Sequence, residues 1–242
     1  MPVNPPARIN KLLNLDYLEK DKIWLTKQNT LKKLIGILGM LLPILLYLFL
    51  LLDGKIVSPL ASISHYYYTR ASGVFVSIIS LLGFFLLIYK GKAPIDFYIS
   101  SLAGLFALCL VLFPTTNISD ICCDAQKPFS VTRLNISVFR STFHLISSGV
   151  FLTCLAILSI FFFTKSNMPI GKRSPLKPLR NKIYRTCGIT MIVALIIIAF
   201  RFANIIPANF YDKNHLTFWM ESIAVESFGI SWLIKGKQFF ND

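Results

Sequence analysis

LIGILGMLLPILLYLFLLL, Leu34–Leu52, runs for nineteen residues without a charge. A helix needs about 20 mostly apolar residues to cross about 30 Å of hydrocarbon, so this run has spanning length. Five further runs resemble it: Ala71–Tyr89, Ile95–Phe113, Phe143–Phe163, Thr186–Phe202 and Leu216–Ile234. In lipid the backbone must satisfy its own hydrogen bonds, which leaves helices or a closed barrel. Barrel strands alternate apolar and polar residues over about ten positions, a pattern absent here. The expected fold is therefore all-α, an integral membrane bundle of six transmembrane helices.

Composition agrees. Of 242 residues, 55% are hydrophobic and 15% charged, with a mean hydropathy of +0.63, far from the balance of a water-soluble domain. The net charge of +14 belongs to the flanks of the runs. Seven of the 25 Lys and Arg precede Leu34, Lys90 and Lys92 follow the second run, seven more lie in 164–185, and Lys235 and Lys237 follow the last. The opposite connections hold the other seven, so the positive-inside rule puts both termini in the cytoplasm. Three parts follow: a basic cytoplasmic segment (1–33), a six-helix domain (34–235) and a short cytoplasmic tail (236–242). The expected location is the cytoplasmic (inner) membrane, crossed several times, with membrane lipids as partners.

These cations flank apolar spans and do not form a patch interleaved with aromatics, so no nucleic-acid partner is expected. The loop Thr164–Arg185, with three prolines and seven cations, should rest on the anionic leaflet. Ala7–Leu18 places Ile9, Leu12, Leu13 and Tyr17 on one helical face, which suits an interfacial helix or a partner-binding face. The long basic stretch before Leu34 argues against a cleavable signal, and the first span should be retained. Cys109, Cys154 and Cys187 fall within spans as small apolar packers, while Cys122 and Cys123 are adjacent in an outward loop.

The costliest run is the last, LTFWMESIAVESFGISWLI, with Glu221 and Glu226 at spanning depth. At 1.5 Å per residue they lie about 7 Å and about 15 Å below its start, about 140° apart around the helix. They do not form one facing acid pair. Glu226 reads either as a neutral hydrogen-bonder or as a proton or cation relay. Glu221 reads either as the partner of Arg201 in a salt bridge or as a ligand contact. Chain direction brings them toward other polar groups: Ser62, Ser64, His65 and Tyr66–Tyr68 before the second span, His144 opening the fourth, and Arg201 ending the fifth. The tyrosines also suit an interfacial belt, and His144 serves either as a local hydrogen-bonder or as a base or ligand in a polar cavity. Asp96 follows Pro94 and suits the positive start of its helix. Small residues, Ser100, Ala103, Gly104 and Ala107 in the third span and Ser148 and Gly149 in the fourth, read as close-packing positions.

Ser62-x-Ser64-x-Tyr66-Tyr67-Tyr68-Thr69, Tyr89-Lys90-Gly91, Asp96, Ala103-Gly104, Phe113-Pro114-Thr115, His144-Leu145 and Glu221 with Phe228–Gly236 together resemble a family of bacterial polytopic membrane proteins. The likeness covers about residues 58–237. It implies a multi-span fold but no activity, since that family has no agreed function. His65 and Glu226 depart from its usual pattern, which favours Ser64, Tyr66, His144 and Glu221 as carriers of shared chemistry. A looser likeness is to seven-span zinc hydrolases, alkaline ceramidases among them, which place a Ser, an Asp and three His at one membrane face. Here the span count is six and the His-x-x-x-His pair is missing.

The sequence shows no phosphate-cradling Gly loop, Cys-x-x-Cys pair or nucleophile elbow. No cofactor or metal ligand set is assigned. The expected function is handling of a lipid or small solute, transporter-like, through an outward polar cavity. That cavity is lined by Ser64, Tyr66, His144, Arg201 and Glu221 and takes a lipid headgroup or small polar ligand. A metal-dependent lipid hydrolase and a non-catalytic structural or partner-binding protein are the alternatives.

Overall fold

The computed structural model describes residues 28–54, 58–119, 129–166, 169 and 173–236. The segment 7–18, Cys122 and Cys123 lie outside these residues. The apolar runs become α1 (Gln28–Leu52), α2 (Ser72–Ile88), α3 (Pro94–Leu112), α4 (Val138–Ile157), α5 (Lys177–Phe202) and α7 (Leu216–Lys235), with a short α6 (Ala208–Lys213) before the last. A 3-10 turn, η1 (Ile63–Tyr68), leads into α2, and α4 widens into a π turn over Leu158–Phe162. Among the described residues there is no strand; one isolated bridge joins Thr69 and Ser130. The fold is all-helical.

Four helices are long and apolar enough to cross a membrane: Asn29–Leu52, Pro94–Leu112, Val138–Phe162 and Lys177–Phe202. The helix α2 has 17 residues, and α7 has 20 with its two carboxyls. Two boundaries differ from the apolar runs. Ser137 caps α4 by accepting a hydrogen bond from the Arg140 amide (3.2 Å), so the helix starts before the apolar stretch and His144 lies nearly two turns inside it. Pro178 sits in the first turn of α5, where its missing N–H costs nothing, and the helix begins at Lys177 instead of Thr186.

The apolar helices each bury one stripe and leave apolar side chains exposed on the other faces. On α1 the stripe is Ile35, Leu42, Leu46 and Leu50, whereas Ile44, Leu48 and Phe49 are exposed. The helices α1 and α7 meet through Gly36 and Gly229. A Cβ on Gly36 would fall 2.8 Å from the Gly229 carbonyl, and the reverse holds for Gly229, so only glycine fits this crossing. The pair α2 and α3 uses Gly83 and Gly104 in the same way, with Ser100 Oγ donating to the Leu86 carbonyl (2.6 Å). The π turn lets Ser159 donate to the Tyr184 carbonyl (2.8 Å) while taking the Ser231 hydroxyl (2.7 Å), tying α4 to α5 and α7.

One end of the bundle is basic. Asp96 caps α3 there, accepting from the Lys92 (2.8 Å) and Ala93 (3.3 Å) amides and facing Lys165 at 3.7 Å. Gly91 is required beside it, because any Cβ would collide with the Asp96 side chain. The Lys165 carbonyl accepts from the Lys92 and Lys177 ammonium groups, and the Lys235 ammonium lies over the Phe163 ring. The start of α1 and the end of α7 adjoin here, Gly236 packing on Lys33. The polar site lies at the other end.

Candidate functional site

Ile63-Ser-His-Tyr-Tyr-Tyr68 folds as a 3-10 turn because it is held from several sides. The first turn of α7 has amides without helical partners, and one of them, Phe218 N, donates to the Ala61 carbonyl (3.1 Å). One turn on, Glu221 Oε2 accepts from the Ile63 amide (2.7 Å). The Tyr68 hydroxyl donates to the Thr115 carbonyl, and the Tyr68 carbonyl accepts from Val131 N (2.9 Å). Thr69 Oγ1 closes the turn by donating to the Tyr66 carbonyl (2.8 Å). The turn is thus clamped between α7 and the connections that follow α3 and precede α4.

Clamping fixes Ser64, whose hydroxyl lies 2.9 Å from Nε2 of His144 on α4. The other ring nitrogen, Nδ1, lies 2.8 Å from the Phe113 carbonyl at the end of α3. A carbonyl only accepts, so Nδ1 carries the hydrogen, and in the neutral ring Nε2 then accepts from Ser64 Oγ. Both side chains are buried. A second, local pair joins Ser62 Oγ to His65 Nδ1 (2.6 Å).

These groups line a cavity of about 780 Å³, within the range of small-molecule sites. Its lining changes along its length. Ser62, Ser64, His65, Thr115, Thr116, Ser141, Thr142, His144, Arg201, Asp212, Thr217 and Glu221 make a polar mouth, while Leu145, Gly149 and Leu152 of α4 line a mainly apolar slot with Leu195, Ile198 and Phe202 of α5; Ser148 lines it too, its hydroxyl donating back to the Leu145 carbonyl (2.9 Å). Leu152 is eight residues beyond His144, about 12 Å along the helix. Gly149 has no atom within 4 Å of where a Cβ would stand, so it leaves the slot open and does not serve as a helix-packing contact.

Four of the five residues expected in the outward cavity line it: Ser64, His144, Arg201 and Glu221. Tyr66 does not. It is fully buried beneath the turn, its ring centroid 6.0 Å from that of Phe218 and its oxygen accepting from Leu60 N (3.4 Å). Burial pushes its phenol up to about 12, so it remains neutral. Arg201 does not bridge to Glu221 either. Its guanidinium takes Asp212 of α6 in two bonds (3.2 and 3.0 Å), which frees Glu221 for the Ile63 amide. Glu226 faces a different groove, between α1 and α7, with Pro43, Tyr47 and Trp219. Ser222 donates to the Phe218 carbonyl (2.7 Å).

Sequence reasoning missed Asp212, the Phe113 carbonyl and the slot at Gly149. The position of Phe113 next to Pro114 was a signal, because a helix must stop before a proline and leave carbonyls open. Among the described residues no three His, Cys, Asp or Glu converge as a metal ligand set, and both ring nitrogens of His144 are engaged. No known protein family, curated protein or solved structure matches the chain.

Proposed function

We propose that this chain is a six-span protein of the cytoplasmic membrane, both termini cytoplasmic, that binds an amphiphile in its outward cavity. The observation that carries the reading is the division of one cavity into a polar mouth and an apolar slot. A lipid has the same division. Its headgroup would meet Ser64, His144, Glu221 and the Arg201–Asp212 pair, and a chain would lie between α4 and α5 among Leu145, Leu152, Leu195 and Ile198. A small polar solute would use the mouth alone and leave the slot unexplained, so lipid handling is the stronger half of the expectation. The six-span count is supported by α2 and α7, which pack along the four spanning-length helices, and by the cations gathered at one end of the bundle.

The test is photo-crosslinking in bilayer nanodiscs with a phospholipid carrying a diazirine in its acyl chain. Adducts should concentrate on Leu152, Leu195 and Ile198. Adducts confined to outer surfaces such as Phe84 and Ile189 would contradict the reading.

A further inference from the structure

Ser64 and His144 are more than headgroup contacts. A hydroxyl donates to an imidazole whose far nitrogen is fixed by a third group, here the Phe113 carbonyl. That is the arrangement by which a base activates a weak nucleophile, and it is recognised by geometry and not by sequence position. From these contacts we infer that Ser64 is the nucleophile and His144 the general base of an acyl-ester hydrolase acting on the amphiphile bound in the cavity. The inference rests on the lipid-binding reading above, since the slot presents the ester.

The step balances with water as the only co-reactant. Ser64 Oγ attacks the ester carbonyl carbon while its proton passes to His144 Nε2. The carbonyl–oxygen bond to the alcohol breaks, and the alcohol leaves with that proton. Water then attacks the acyl-Ser64 carbonyl, giving a proton to His144, and the Oγ–carbon bond breaks to release the carboxylic acid and restore the Ser64 hydroxyl. Thr115 and Thr116 line the same mouth and offer hydroxyl donors to the carbonyl oxygen as charge develops on it. Glu221 and Phe218 act one step away, as positioning residues that hold the turn bearing Ser64. The absence of a nucleophile elbow does not bear on this, because the nucleophile stands on a clamped 3-10 turn and finds its base 80 residues away.

The test treats the full chain in nanodiscs with a long-chain alkyl fluorophosphonate and maps adducts by peptide mass spectrometry. The expected result is an adduct on Ser64, with a labelling rate at least about 100-fold lower in His144→Gln, the size of a lost general base. Thermal unfolding of that variant shows that it is folded, and the unaltered chain gives the mapping without any substitution. No adduct on Ser64, an adduct on Ser62 in its place, or a rate unchanged in folded His144→Gln would overturn the inference. Lipid crosslinks in the slot separate the two claims. With crosslinks present and Ser64 unlabelled, the hydrolase fails and the binding reading stands; with neither, both fail.

Discussion

Ser64 Oγ and His144 Nε2 stand 2.9 Å apart and join a turn at the start of the chain's second apolar run to a helix in its fourth. Neither residue has another side-chain partner of this reach among the described hydrogen bonds, so the pair fixes how η1 sits against α4. If it works as a unit, substitutions at the two positions are not additive. Ser64→Ala and His144→Gln are each expected to destabilise, and the double variant to lose less than their sum, by a coupling of about 0.5–3 kcal/mol. Reversible unfolding of the four proteins in one detergent measures the cycle; additive losses would show that the contact carries no energy.

Glu221 separates hydrogen bonding from charge. Its Oε2 takes the Ile63 amide at 2.7 Å, and a buried amide left without an acceptor costs about 1–3 kcal/mol. Glu221→Ala is expected to lose about that much and to loosen η1. Glu221→Gln keeps a carbonyl oxygen for the amide and should retain most of the stability. Thermal unfolding of both variants checks this; equal losses would mean that the charge, and not the acceptor, holds the turn.

Orientation is testable by labelling. In a background without native cysteines, an impermeant thiol reagent added to intact cells should label a cysteine replacing Asn135, near the site, and spare one replacing Pro175, at the basic end. Both positions are exposed. The reverse pattern would invert the bundle.

The helices were legible in the sequence because uncharged apolar runs of spanning length mark them, and the gathering of cations at one end of the bundle followed from their places between those runs. The convergence of Ser64, His144, Arg201 and Glu221 followed from counting spans and chain direction alone. What those residues bond to did not follow. Arg201 is drawn to Asp212 because six residues between two turns form α6, an element too short and polar to announce itself. Tyr66 looked like a cavity residue since its neighbours are, yet a 3-10 turn sends successive side chains about 120° apart, and Tyr66 points into the core. Ser64 and His144 meet only through the clamp that α7 applies to η1, a tertiary contact that no local pattern encodes. Gly149 read as a packing residue because glycine in a span usually is one; which way its missing side chain would point depends on the rotation of α4.

The central claim is that the cavity between η1, α4, α5 and α7 holds a lipid, and native mass spectrometry of the protein released from bilayer nanodiscs tests it most directly. Gly149 and Gly73 both have open space where a Cβ would stand, but only Gly149 lines the cavity. The unaltered chain and Gly73→Trp are predicted to retain bound lipid that Gly149→Trp, its indole filling the slot, has lost. Equal lipid retention by all three would contradict the account.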